Sequence, residues 1–212
     1  TNRNIELYLS FIYSLISKLF GSMAGLFRGF TLFSAFLVFN SFYVDNIEIG
    51  TRIDSFNGVD VYYNGHDFTH TRGRNVTPDG YNLGLKFQCV EFVKRYYYEV
   101  FGHKMPNAYG NAKDFFDQSL ADREFNKKRG LMQYRNVREY EPKVHDILVY
   151  NGYEGNRFGH VAIISKVTED EIEIIQQNMG KRSRLNIPVV KFYQYWTVAD
   201  YNILGWLRNE EK

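Results

Sequence analysis

The chain is short of cysteine: Cys89 is the single one in 212 residues. A lone thiol excludes an internal disulfide framework and leaves the redox compartment unmarked. An excess of charge of one sign is also lacking. Lys and Arg number 26 against 24 Asp and Glu, and the net charge of +2 is too small to point to nucleic acid. No basic block stands out: Lys127-Lys128-Arg129 and Lys181-Arg182-Ser183-Arg184 read as solvated loops. Internal repeats, low-complexity segments and a cysteine placed for lipid attachment are absent from the sequence. What is plentiful is aromatic side chain, 17% of residues with 18 Phe and 17 Tyr. That supplies a core and an aromatic-lined groove. The length suits one domain plus an appendage.

The appendage is at the N-terminal side. Residues 29–44 are free of charge and rich in Phe and Leu. As a helix this run would span about 24 Å, short of the ~30 Å hydrocarbon core. Extension back to Ala24, with Arg28 snorkelling to the headgroups, makes up the length. Lys18 and Arg28 precede the run and Asp45 and Glu48 follow it, which predicts the N-terminus inside and the rest outside. Met23 followed by Arg28 and the run also resembles a start opening a signal sequence. No pair of small residues marks a cleavage point around residues 40–45, so an uncleaved anchor is expected, with a cytoplasmic protein as the alternative. Leu7, Phe11 and Leu15 form a helical row within residues 4–20, as in a helix lying on a membrane surface or in a buried helical hairpin. The expected division is residues 1–45 as an apolar membrane anchor or signal and residues 46–212 as a catalytic domain.

Beyond Asn46 the composition turns polar and glycine-punctuated. Residues 58–63 read as a strand ended by Asn64-Gly65, and residues 66–82 as a loop. Val90, Val93, Tyr97, Val100 and Phe101 recur at helical spacing, and Gly102 stops the helix. A second helix is expected over residues 111–120. Residues 146–150, 161–167, 171–175 and 203–208 read as strands, with Thr168-Glu169-Asp170 as a hairpin turn. Helix first and antiparallel strands later is an α+β order.

Cys89 falls where a glycine-containing loop runs into the helix, and the unpaired N–H groups and positive dipole end of a first helical turn stabilise a thiolate. His160 opens a strand-like stretch and would take the thiol proton, then return it to a leaving amine. Asn178, following a second strand, would accept a hydrogen bond from the other ring nitrogen and fix the tautomer. The Cys89 backbone N–H, joined by a group from Gln88, would hold the oxyanion. Cysteine, histidine, asparagine is the chain order of papain-like thiol hydrolases.

Phe87-Gln88-Cys89-Val90-Glu91-Phe92-Val93, Gly159-His160-Val161-Ala162-Ile163-Ile164 and Gln177-Asn178 resemble the CHAP family of cysteine, histidine-dependent amidohydrolases/peptidases, over roughly residues 54–208. The resemblance implies an α+β, papain-like (NlpC/P60-type) fold in which the helix carrying the cysteine packs on an antiparallel sheet, here preceded by an apolar N-terminal helical segment. It also implies amide cleavage through a thioester acyl-enzyme. Two branches compete. Gln176-Gln177-Asn178 and the closing Ile203-Leu204-Gly205-Trp206 resemble glutathionylspermidine amidase domains, whereas Gly110-Asn111-Ala112-Lys113-Asp114-Phe115 is similar to bacterial cell-wall hydrolases. The catalytic set is then Cys89, His160, Asn178 and Gln176, with Gln88, Asn111 and Gly159 as oxyanion or substrate-binding residues. Gln176 stands where many members carry glutamate, and His145 stands where the family has glycine; His145 is read as structural. Asp79 is the one acid between His70 and Cys89, which argues against the calcium site of some cell-wall members. His66 and His70 lack further ligands for a metal, so no metal and no cofactor are expected.

Three functions follow as expectations. The first is a membrane-anchored, exported thiol amidase acting on peptidoglycan peptides. The second is a glutathionylspermidine-type amidase releasing a polyamine. The third is an anchored binding module with a decayed site.

Overall fold

Continuous apolar runs in the central strands, buried on both faces, set the architecture. The computed structural model describes residues 47–210. The expected anchor at residues 29–44 and the helical row at residues 4–20 lie outside them. Among the described residues no helix is long and apolar enough to cross a membrane.

Two small antiparallel hairpins come first: β1 (Arg52–Phe56) with β2 (Val59–Tyr62), and β3 (Arg74–Val76) with β4 (Asn82–Leu85). Helix α1 (Cys89–Phe101) follows, then a single 3-10 turn at Ala112–Phe115. The remaining strands are β5 (Glu124–Asn126), β6 (Leu131–Arg135), β7 (Ile147–Tyr150), β8 (His160–Val167), β9 (Glu171–Ile175), β10 (Arg184–Phe192), β11 (Tyr195–Val198) and β12 (Ile203–Arg208). They form one eight-stranded sheet in the order β11-β10-β9-β8-β7-β12-β6-β5, with antiparallel neighbours throughout. The described chain is thus mostly antiparallel sheet with one α-helix.

Successive side chains on a strand point to opposite faces. Ile147 and Val149 of β7, and Val161 and Ile163 of β8, therefore join a core with Phe92, Val93, Tyr96 and Tyr97 of α1. Leu148, Ala162, Ile164, Ile174 and Trp206 fill the other face. Each buried aliphatic or aromatic side chain contributes about 1.5–3 kcal/mol. The sheet curls: beyond β6, Arg138 accepts at its carbonyl from the Trp196 N–H of β11 at 2.7 Å, and the Asn136 amide bonds both backbone groups of Val198. These bonds draw the two sides of the sheet over the second core.

The helix is bounded as its sequence dictates. Its apolar row packs inward, and Gly102 takes a left-handed conformation (φ 62°) with its N–H on Tyr98 O at 3.0 Å, a conformation open to glycine without steric cost.

Several expectations need correction. The helix expected over residues 111–120 is only the short turn, because Phe115 and Phe116 are both buried while Asp117 turns back to bond Gln133 and Ser119. The loop expected over residues 66–82 contains β3. The cluster at residues 181–184 is not all solvated loop: Arg184 opens β10 and pairs with Asp54 at 2.9 Å and Glu173 at 2.6 Å. Arg129, also read as solvated, is buried.

Candidate active site

Gly84 (φ 132°) lets β4 approach the start of α1, where a Cβ would lie 3.4 Å from the Glu91 backbone. Phe87 then takes a left-handed φ of 65° and Gln88 an extended one as N-cap. The helical ladder begins only at the Phe92 N–H, bonded to Gln88 O at 3.2 Å, so the preceding N–H groups stay outside it. Cys89 opens the helix and joins the buried core cluster that includes Val161 of β8, the residue next to His160.

His160 is placed by a turn that only glycine fits. Gly159 has φ 74°, and a Cβ there would stand 2.5 Å from the Tyr150 carbonyl oxygen and 3.0 Å from the Lys113 nitrogen. Its ring bonds Gln176: His160 Nε2 and Gln176 Oε1 are 3.0 Å apart, and Gln176 Nε2 donates to Arg182 O at 3.2 Å. With the amide so oriented, Nε2 carries the proton and Nδ1 is the basic nitrogen. Tyr150 packs beside the ring at 5.8 Å between centroids.

Asn178, expected to hold the histidine, is engaged elsewhere. Its Nδ2 donates to Gln88 Oε1 at 2.7 Å and Phe68 O at 2.8 Å, and its Oδ1 accepts from Asn64 Nδ2 at 2.8 Å. The cause is backbone geometry: past the end of β9, Asn178 turns left-handed (φ 69°), while Gln176 keeps the strand's direction toward His160. Gln88 is likewise not free to serve as an oxyanion donor in this arrangement. Its amide donates to Phe68 O at 3.1 Å and His70 O at 2.7 Å, so both amide hydrogens are committed. The backbone N–H of Cys89 remains as the donor at the sulfur.

This amide network was missed at the sequence level. Gln177 accepts from the Tyr62 N–H at 2.8 Å and donates to Gln88 O at 3.0 Å and Glu91 Oε2 at 2.9 Å. Glu91 is buried and paired with Arg95 at 2.6 Å and Asn75 at 2.8 Å. The repeated amide in Gln176-Gln177-Asn178 is the available signal for a bonded cluster, since three polar residues closing a buried strand need partners.

Cys89, His160, Asn178, Gln88, Gly159 and Asn111 all line one cleft of about 1000 Å³. Asn111 is exposed on its wall, with its N–H on Asp114 Oδ2 at 2.8 Å. Phe68, Tyr109, Tyr153 and Phe158 are exposed along it, so the cleft is aromatic-walled. His145, by contrast, packs among Phe56, Tyr96 and Phe101 and shares a 2.7 Å hydrogen bond with the Tyr96 hydroxyl. Among the described residues no group of His, Cys, Asp and Glu is arranged to hold a metal.

The electrostatics depart from the thiolate expected at a helix start. Burial pushes the Cys89 thiol up to about 11, against smaller lowering by the N–H groups of Val161, Val90 and Cys89 itself. Burial also draws the His160 imidazole down to about 4, with the Gln176 hydrogen bond opposing weakly. Desolvation disfavours both charged forms. Both shifts favour the uncharged forms of the two side chains.

Comparison with known proteins agrees with the resemblance seen in the motifs. Residues 77–178 match the CHAP domain family. Cys89, His160, Gln176 and Asn178 fall within the CHAP match, and Asn64 and Phe68, which Asn178 bonds, precede it. The match supports a cysteine amidase or peptidase. Trypanothione synthetase from Crithidia fasciculata is 28% identical over 120 residues, covering 57% of this chain. The chain spans only 18% of that relative's length. A solved structure titled "The crystal structure of Ly7917" aligns at 18% identity and a TM-score of 0.35, covering 57% of this chain and 53% of that one.

Proposed function

We propose that residues 46–212 form a papain-like thiol hydrolase that cleaves amide bonds in peptidoglycan peptides outside the cytoplasm, held there by the N-terminal apolar segment. One observation carries the chemistry: Cys89 at the start of α1 and a His160 whose tautomer Gln176 fixes line the same cleft. His160 Nδ1 takes the thiol proton as sulfur attacks the amide carbonyl. The tetrahedral oxyanion accepts from the Cys89 N–H, and the imidazolium gives its proton to the departing amine. The resulting thioester is hydrolysed by water with His160 again as base. Gln176, a neutral amide, orients the ring without offering it a counter-charge. Asn178 supports the site by fixing Gln88 and the Phe68 loop.

The exported location rests on the residues around the run at 29–44, and the wall substrate on that location and on the motif at residues 110–115. A second reading, release of a polyamine from glutathionylspermidine, is favoured by Gln176-Gln177-Asn178 and by the similarity to a protein named for trypanothione synthesis. Incubating the full chain with purified peptidoglycan and with glutathionylspermidine, then identifying the newly freed amines, separates them. Peptide amines from peptidoglycan are expected. Spermidine alone would transfer the assignment to the second reading, and no product from either would remove both substrates.

A further inference from the structure

The wall of the cleft formed by Ala108, Tyr109 and Gly110 lies over two buried cations. Lys94 of α1 is fully buried, and its ammonium donates to Ala108 O at 2.9 Å and to Asn82 O. Arg129 is 1% exposed and donates to Asn107 O at 2.8 Å, Tyr109 O at 3.2 Å and Asp114 O at 2.9 Å. Neither forms an ion pair with a carboxylate among the described residues. The Asp114 carboxylate acts on Arg129 and Glu91 on Lys94, offsetting part of their charge; backbone carbonyls satisfy the hydrogen bonds without cancelling the rest, which reaches the wall through a medium that screens poorly. Lys94 keeps its proton at neutral pH even though burial draws it down to about 8.

Two more cations stand in the open. Arg74 and Arg157 are exposed cleft residues, and neither is paired with a carboxylate among the described residues: Arg74 donates to Asn82 Oδ1 at 3.1 Å, and Arg157 lies over the Phe158 ring at 5.1 Å. Glu154 is the one acid lining the cleft among the described residues. Guanidinium groups with free donors bind carboxylates in fixed, often bidentate geometry. A polyamine chain would instead meet repulsion here.

We infer that the cleft selects substrates bearing free carboxylates, bound by Arg74 and Arg157 over the cationic Ala108–Gly110 wall. This deepens the proposed hydrolase reading and rests on it for the identity of the substrate. It favours acidic stem peptides over cationic conjugates.

Binding and turnover are read separately, so that the two claims can fail independently. The full chain carrying Cys89→Ala is titrated with a peptidoglycan stem tetrapeptide whose carboxylates are free, and with the same peptide amidated at those carboxylates. The free acid is expected to bind roughly tenfold tighter, the scale of one charge-assisted hydrogen bond. Adding Arg74→Gln and Arg157→Gln should erase that preference, and raised salt should weaken it. Equal binding of the two peptides, preference for the amidated one, or no binding by either overturns the inference. So does a preference that survives both arginine substitutions. Turnover of the free-acid peptide by the unmodified chain is the second arm. Selective binding without turnover would sink the hydrolase reading for this substrate while leaving the carboxylate selectivity standing.

Discussion

The centres and the ends of the strands in the eight-stranded sheet differ in what they carry. At the centres, Val161, Ile163 and Ile175 join the core that includes the rings of α1, and Leu148, Ala162, Ile164, Ile174 and Trp206 make an apolar core on the other face, where even the Trp206 Nε1 lacks a partner among the described residues. At the ends, His160 bonds Gln176, and Gln177, Asn178, Gln88 and Asn64 form a second bonded group. The strand ends carry fixed hydrogen-bond geometry, the centres carry packing. Chemistry and stability are therefore separable by substitution along the same strands.

The largest effect expected on the packing side comes from Trp206→Ala. Removing a fully buried indole should lower stability by about 3–5 kcal/mol, read as a fall in the denaturant midpoint. Turnover by the fraction still folded should stay within about twofold, a difference of under ~0.5 kcal/mol. A collapse of turnover in folded protein would break the separation of strand ends from strand centres.

On the polar side, Gln176→Glu places a carboxylate on the imidazole, favours imidazolium and raises the His160 pKa above its present value of about 4. The acid limb of the rate–pH profile should move up by about one unit or more. Stability changes in step, with a sign fixed by linkage. His160 has a folded pKa depressed from 6.5 to about 4, so its contribution is complete above pH 6.5 and is lost as pH falls through 4. Gln176→Glu should shrink that acid-side loss, as thermal unfolding between pH 4 and 7 would register. An unmoved acid limb would mean that residue 176 does not govern the imidazole.

Much of this was legible from the chain. The apolar runs of β8 and β9, the helical row after Cys89 and the stop at Gly102 are local patterns, and local patterns survive folding. The cleft gathers Cys89, His160 and Asn178, whose order the sequence exposes. The hidden parts depend on distant backbone. Arg129 looks solvated beside two lysines, and only carbonyls at positions 107, 109 and 114 explain its burial. β10 hides because Pro188 interrupts it and, of its nine residues, only Ile187 and Val189 are buried. That Gln176 and not Asn178 bonds the His160 ring turns on a single left-handed residue at a strand end, which composition does not announce. The upward push of burial on the Cys89 thiol was masked similarly: a helix start is visible in sequence, whereas the burial that outweighs it is tertiary.

The most direct measurement is the mass of the Cys89-containing peptide after the full chain is mixed with an amide substrate and quenched in acid. The account predicts a substrate acyl group on Cys89 that decays on further incubation. His160→Ala should show none and should lose turnover by on the order of 10⁴-fold. Continued turnover in Cys89→Ala, or an acyl group that forms equally fast without the His160 imidazole, would contradict it.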